Sequence, residues 1–519
     1  MKNAYHLGFV AFLLITSVAE SQEGYLLFRG NAQRTGEAAK APAWEKRVAW
    51  QRPLLKDKLD GFPEADPDDA AESLIAELRK DVDPAILPGS FPIIVNDVCI
   101  YRSYRDVRSA LLQPTEFKTA DKEIIRVRAG EIMWKSVTQN RSLSAMLEKA
   151  QSKPAVARTV AALKAQKQDH FLWANPAIGS LSSDGKTVIC VNDVCFPEID
   201  LGKKVPLANT IPIELNVMKM MISQNPYHAY HFGNGKLIWD LNSEYQDDKR
   251  FKESHFLGPP LPYEGKLYSL NERDGELRLL VIDGTKLKDQ MPEVAPPLVL
   301  TKIPEAERIL RSPLRRTQAL HIAAVKDLLV CPTHAGIVIG VDRAKMAILW
   351  TYRYRDEKVA PPLLPHWQAA CPMIHKDRIV LAAADAKEIH CLDLDGNKKW
   401  TAADANGLYV ATVHNDLVLV VGKGSCRALK LADGTEKWKL EMGVPAGVGV
   451  KDGSLYYLPL RKDAVNNAPT IWAIDLDKCE KARRVNVPHP DALGNLALHR
   501  GMVVSQSATH IAAFPVSIK

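Results

Sequence analysis

A chain of 519 residues, 46% hydrophobic and 25% charged, can fill a large core, as three domains or as one repeat array. Lys plus Arg number 68 against 61 Asp plus Glu, and the resulting +7 is spread too thinly along the chain to argue for nucleic acid. The eight cysteines lack the paired CxxC spacing of zinc or thioredoxin-like sites, and no CxxCH offers covalent haem attachment.

Met1 to Ala19 reads as an export signal: Lys2 gives a basic start, Leu7 to Val18 an apolar stretch, and Ser17-Val18-Ala19 the small residues of a cleavage site. The run is short for a membrane span, and no cysteine near the cleavage point could carry a lipid anchor. A periplasmic or secreted mature chain is therefore expected. Tyr25 to Gly36 reads YLLFRGNAQRTG, and Trp44 and Trp50 follow in a strand-like stretch, RVAWQRPL.

Glu64 to Leu87 breaks the β character. Asp66-Pro67 resembles an N-cap with proline in the first helical turn, and Ala70, Leu74, Ile75 and Leu78 follow at helical spacing, so an inserted surface helix is expected. FPIIVNDVCIY resumes the strands at Phe91, and IIRVRAGEIMW closes a unit on Trp134. Ser142 to Gln168 is a second helical insertion, divided by Pro154. The next unit ends in FGNGKLIWDL at Trp239. After it, FLGPPLPYEGKLYSLNERDGELRLLVIDG is a degenerate unit without tryptophan, and Thr285 to Gln318, with Arg308, Arg311, Arg315 and Arg316, reads as a long surface connection.

Three compact units then share one layout. Asp327 lies 23 residues before Trp350, Asp377 lies 23 before Trp400, and Asp416 lies 22 before Trp438. In the last two, a His-x-Asp turn (His375 to Asp377, His414 to Asp416) precedes β-rich runs that reach Asp-Gly and then Trp. Asp-Gly and Asn-Asp tolerate the positive φ of tight hairpin turns, so each unit predicts a four-stranded antiparallel meander. Such a unit at a period of ~40–50 residues is a propeller blade. GVKDGSLYYLPL to IWAIDLDKCEKARRV gives another unit, and LALHRGMVVSQSATHIAAF holds only the inner strands of a last one. Its missing outer strand is assigned to Ala49 to Leu54, which would close the ring by pairing the two ends of the chain. The count is eight blades over residues 24–519, with seven as the alternative because the unit at Phe256 to Gly284 is degenerate. The fold class is thus all-β, a single propeller with helical insertions near 64–87 and 142–168.

The units Leu392-Asp393-Leu394-Asp395-Gly396 to Trp400 and Leu429-Lys430-Leu431-Ala432-Asp433-Gly434 to Trp438 resemble the PQQ-type propeller repeat, Ala-x-Asp-x-x-Thr-Gly-x-x-x-Trp. FRGNAQRTG resembles the opening of the large bacterial PQQ-like propellers, and the resemblance covers nearly the whole mature chain. It implies that Trp134, Trp239, Trp350, Trp400 and Trp438 dock each blade on the next, where a large flat side chain buries ~150–250 Å². For function it leaves two classes, since the repeat serves quinoprotein alcohol dehydrogenases and non-catalytic scaffolds such as the assembly factor BamB.

A dehydrogenase of this type needs a Ca²⁺ site of carboxylate and amide oxygens, a catalytic Asp and usually a vicinal Cys-Cys bridge over PQQ; the sequence has no Cys-Cys pair and no haem motif. Asp342, Asp393 and Asp475 stand at the repeat's turn position, where a structural role is expected. His228 and His231 are three apart, which on a helix would share a face, but no acid accompanies them as a metal ligand. His375 and His414 recur with the repeat. Cys190 and Cys195 flank Val191-Asn192-Asp193-Val194, and a two-residue turn at Asn192-Asp193 would set them opposite one another for a disulfide. Two buried thiols are the alternative, because Cys99 ends the same VNDVC without a partner. The expected function is a monomeric, non-catalytic scaffold holding a protein or polymer partner, with neither PQQ nor calcium bound and no catalytic residue assigned. A PQQ-dependent dehydrogenase or a cofactor-binding relative is the alternative.

Overall fold

The computed structural model describes residues 24–55, 69–80, 82–118, 124–136, 157, 160, 161, 163, 164, 169–192, 224–242, 250–288, 291–362 and 364–516. Eight antiparallel sheets of four to six strands, one small outlying hairpin and a short helix, Asp69–Arg79 (α1), account for nearly all its regular structure. Each sheet is a blade, numbered 1 to 8 in chain order with inner strands beginning at Ile93–Val95, Leu181–Ser183, Ser254–Phe256, Ala323–Val325, Pro372–His375, Gly407–His414, Gly443–Pro445 and Asn495–His499, and its strands are lettered A to D from the axis outward.

The compact units form as their turns require. In blade 5, Pro372–His375, Arg378–Ala382, Glu388–Asp393 and Lys398–Ala403 pair in sequence order. Lys376 and Asn415 both sit at positive φ in the first hairpin turns of blades 5 and 6, the conformation that right-twisted strands demand of a two-residue turn. At the last hairpin of blade 5, between its third and fourth strands, the Asp393 carboxylate accepts from the backbone N–H of Asp395 at 3.1 Å and of Asn397 at 2.8 Å. Asp475 does the same for Asp477 and Lys478, and Asp342 for Lys345. These aspartates hold turns.

The degenerate unit is a blade in its own right, so the ring has eight and not seven. Ser254–Phe256 and Leu261–Tyr263 both pair with Lys266–Arg273, and that strand pairs with Glu276–Lys288. The outer positions are taken by Met291–Val294 and Leu298–Lys302. Much of the stretch expected to be a surface connection is therefore strand. Its arginines are not all on the surface either, because Arg315 and Arg316 are buried and Arg315 pairs with the buried Glu272.

Both ends of the chain build blade 8. Asn495–His499, Met502–Gln506 and His510–Pro515 are completed by Trp50–Pro53, with Trp50 opposite Ala513 and Pro53 opposite His510. Of the two helical insertions, α1 lies within the expected 64–87 and buries Leu74, Ile75 and Leu78. Of 142–168, only five residues are described. They include Leu163, buried in the same cluster as those three.

Four of the eight junctions between blades lock by one device. The indole N–H of a D-strand tryptophan donates to a backbone carbonyl in the C–D turn of the next blade: Trp134 to Phe232 at 2.6 Å, Trp350 to Leu394 at 2.9 Å, Trp400 to Leu431 at 2.8 Å and Trp50 to Leu112 at 3.3 Å. Beneath each ring lies a glycine at positive φ, respectively Gly235, Gly396, Gly434 and Gly130, whose added Cβ would fall 2.4–2.7 Å from the ring. Trp239 is almost fully buried against Leu267 and Ile282 of blade 3, and Trp438 packs half-buried beside Leu476 of blade 7. The equivalent turn residue of blade 7 is Cys479, and of blade 4 Met346, which packs with Leu300 and Ile303.

Two outcomes follow. Gly434→Ala should destabilise by about 1–3 kcal/mol through a strained φ and displacement of Trp400, read as a lower urea midpoint. Deleting residues up to Pro53 empties the Trp50 site, a loss of about 3–5 kcal/mol for the aromatic alone, and should give aggregation or early melting; a soluble truncation with unchanged melting temperature would place closure elsewhere.

Candidate functional site

The axis is occupied by the chain itself. Residues 26–38 run across it and bond to the inner strands around the ring: Ser183 N–H to Leu26 O at 2.9 Å, Ala324 N–H to Ala32 O at 2.9 Å, Ile374 N–H to Gln33 O at 2.9 Å and Lys451 N–H to Gly36 O at 2.9 Å. Arg29 Nη1 donates to Ala411 O at 2.6 Å, and Arg34 donates to Ile322 O at 2.9 Å and Phe28 O at 2.7 Å. Positive φ at Arg29, Gly30, Arg34 and Gly36 folds the segment tightly enough to fit. Phe28 stacks on His321 with centroids 4.2 Å apart and meets Phe91 edge-on at 4.5 Å.

The side chains on the axis are guanidinium and aromatic groups, whereas a Ca²⁺ site requires oxygen ligands. Among the described residues no group of three His, Cys, Asp or Glu could hold a metal ion.

His228 and His231 lie on a strand, Tyr227–His231, where an odd separation sends them to opposite faces, so the helical reading of that pair fails. His228 Nδ1 is 2.5 Å from Asn192 Nδ2, and His231 Nδ1 accepts from Gly233 N–H at 3.1 Å. His414 pairs with Asp477 at 2.8 Å. Of the proposed Asn192-Asp193 hairpin, Asp193 and Val194 lie outside the described residues; Thr187–Val191 pairs with Tyr227–His231, which places His228 opposite Cys190. Cys190 is a free buried thiol, and Cys195 lies outside the described residues.

Two concavities among the described residues lie off the axis, and the strand order decides on which face. A–B and C–D turns, the His-x-Asp and Asp-Gly turns of the repeat, emerge on one face; B–C turns and the D–A connections between blades emerge on the other. The second face carries the described parts of the connections between blades 8 and 1 and between blades 1 and 2, α1 included. Gly89 N–H bonds to Trp173 O at 2.8 Å, and Asn495 Nδ2 donates to Pro88 O at 2.8 Å, so these connections are fixed to each other and to blade 8. Between α1 and the B–C turns of blades 7 and 8 is a cleft of about 740 Å³. A smaller one of about 220 Å³ opens beside it over blades 5 and 6.

The larger cleft has a divided lining. Ile75, Ala446, Leu493 and Ala508 give it an apolar floor, and Trp173 lies beneath Arg79, whose Cζ is 5.7 Å from the ring centroid. Arg461, at the end of the second strand of blade 7, also lines it. Burial lowers its guanidinium pKa, and the charge of Arg79 adds to that. Among the described residues no carboxylate pairs with either arginine. No sequence motif marked this cleft, since its residues come from α1, three connections and two turns; the helical insertion at 64–87 was the one legible sign.

Comparison with known proteins agrees with this architecture. A family described as "Outer membrane protein assembly factor BamB" matches residues 334–458. The quinohemoprotein alcohol dehydrogenase of Comamonas testosteroni superposes with TM-score 0.51 at 9% identity, over 100% of this chain and 85% of that one. BamB from Moraxella catarrhalis gives TM-score 0.41 at 14% identity, over 56% of this chain and 78% of that one. No curated protein matches the sequence. The fold is that of a PQQ-like β-propeller.

Several buried histidines set a pH limit. Desolvation lowers the pKa of His228 to about 3, helped by Arg102, and those of His334 and His390 to about 4. The unfolded chain takes up these protons below about pH 6.5, while the folded protein does not until near pH 3–4. Stability should therefore be full above pH 6.5 and fall with acidification, by up to about 1.4 kcal/mol per pH unit for each histidine, visible in urea midpoints between about pH 7 and pH 5.

Proposed function

We propose that this chain is a non-catalytic extracytoplasmic scaffold, exported by its N-terminal segment, that holds a protein or polymer partner on the face bearing the connections. The observation that carries this reading is the occupation of the axis by residues 26–38, which leaves the off-axis clefts of the opposite-to-repeat face as the concave surface available to a partner. Two features support it further. The long connections collect on that one face, where propeller loops are free to vary without disturbing blade packing. The strands and turns that do match the PQQ-type repeat serve docking and hairpin geometry, with Asp342, Asp393 and Asp475 committed to turn bonds. The mature protein is expected to act as a monomer and to bind no nucleic acid.

Equilibrium dialysis of the purified mature protein against PQQ with excess Ca²⁺ tests the reading, because it detects a cofactor lost during purification. Neither should be retained, and no artificial dye should be reduced with alcohols or sugars as donors. Stoichiometric retention at micromolar PQQ would overturn the scaffold and put a quinoprotein dehydrogenase in its place. Cross-linking of the protein in its native envelope should yield a discrete adduct.

A further inference from the structure

We infer that the 740 Å³ cleft between α1 and the B–C turns of blades 7 and 8 is a docking site for an acidic peptide segment of a partner, held by Arg79 and Arg461 through a carboxylate. The inference rests on the scaffold reading and names the chemistry of what that scaffold holds.

Charge is the first argument. Arg29 and Arg34 are held by backbone carbonyls, and several other buried or half-buried arginines of this protein have acidic partners: Arg315 with Glu272, Arg355 with Asp385 at 3.0 Å and Glu307 at 2.6 Å, Arg108 with Asp106 at 2.7 Å, Arg427 with Asp404 at 2.8 Å. Arg79 and Arg461 line one cleft with no such partner among the described residues, although each repels the other. Bringing two guanidinium groups together in a partly desolvated site is unfavourable unless an anion completes it. The planar fork of arginine matches a carboxylate bidentately, and Trp173 already braces Arg79 from one side.

The lining is the second argument, and it favours a peptide over inorganic phosphate or a polyuronate. Ile75, Ala446, Leu493 and Ala508 offer apolar contact that an aliphatic side chain can use. A volume of this size lies within the usual range for ligand clefts. Glu72, Asp491 and His510 also face the cleft; the two acids disfavour a ligand of uniform dense negative charge, and suit one whose carboxylates are spaced by apolar residues.

The test uses the full mature chain and a fluorescein-labelled hexapeptide of alternating leucine and glutamate, with its leucine–glutamine counterpart as control, read by fluorescence anisotropy. The glutamate peptide should bind with Kd on the order of 10–100 µM, weakening as sodium chloride rises from about 0.05 M to about 0.5 M. Arg461→Gln and Arg79→Gln should each weaken binding about 10- to 100-fold with the melting temperature unchanged, and Arg461→Lys should recover part of the loss. Equal affinity for the glutamine peptide, no effect of either substitution, or binding of inorganic phosphate or an oligouronate in preference to the peptide would each overturn the assignment. Should the peptide fail while the native-envelope adduct persists, the peptide assignment falls and the scaffold reading stands.

Discussion

A ring of blades is stable only while every face between neighbours is filled, and in this protein the last face exists because Trp50–Pro53 pairs with His510–Pro515. Without that strand, blade 8 would end on an unpaired edge, and the Trp50 indole would be missing from the first C–D connection. The bond from Trp50 Nε1 to Leu112 O has the same form as those at Trp134, Trp350 and Trp400, so closure uses the ordinary interblade lock, supplied by the opposite end of the chain. Buried glycine at positive φ is the other half of the lock. At these four junctions it allows an indole to lie flat on backbone, where an added Cβ would fall 2.4–2.7 Å from the ring.

Repetition made the outer architecture legible in the amino-acid sequence. The spacings from Asp327, Asp377 and Asp416 to their tryptophans set three blades, and the odd strand at Ala49 to Leu54 found its place because the last unit lacked one. Reading failed where the pattern carried no period. The stretch from Thr285 to Gln318 was assigned to the surface because proline and arginine usually belong there, yet its first part extends blade 3 and Arg315 is buried against Glu272, a pairing that local composition cannot reveal. The His228 and His231 spacing was weighed on a helical face, whereas the backbone there is strand. At Cys190 the observed neighbours are Leu181 and His228 on the flanking strands, and Cys195 lies outside the described residues.

The candidate cleft was scarcely legible, for a physical reason. Its residues lie on α1, on the connections around 88, 173 and 490, and on turns near 461 and 508, and only the ring brings them together. The two faces of the molecule thereby divide their work. Turn aspartates and glycines hold one face to a repeated geometry, while the other accepts helices and long connections because nothing there enters a lock. Arg29 and Arg34 stand between the two, fastening the segment that fills the axis to carbonyls of the inner strands.

That segment also constrains the order in which the protein can form. Arg29 bonds to Ala411 across 382 residues of sequence, and Gly36 bonds to Lys451, so the first part of the chain to be made waits for some of the last. The entropy of closing so long a loop grows only slowly with length, by about 0.6 kcal/mol per doubling, so the final state is not much weakened. What it affects is time. Blades formed early have no floor on the axis and no closed ring until blades 6 to 8 exist, and a partly made chain presents open sheet edges throughout that interval. A cell making this protein must shield those edges until the whole chain is present, and a ribosome stalled beyond blade 5 would release a species prone to edge-to-edge association.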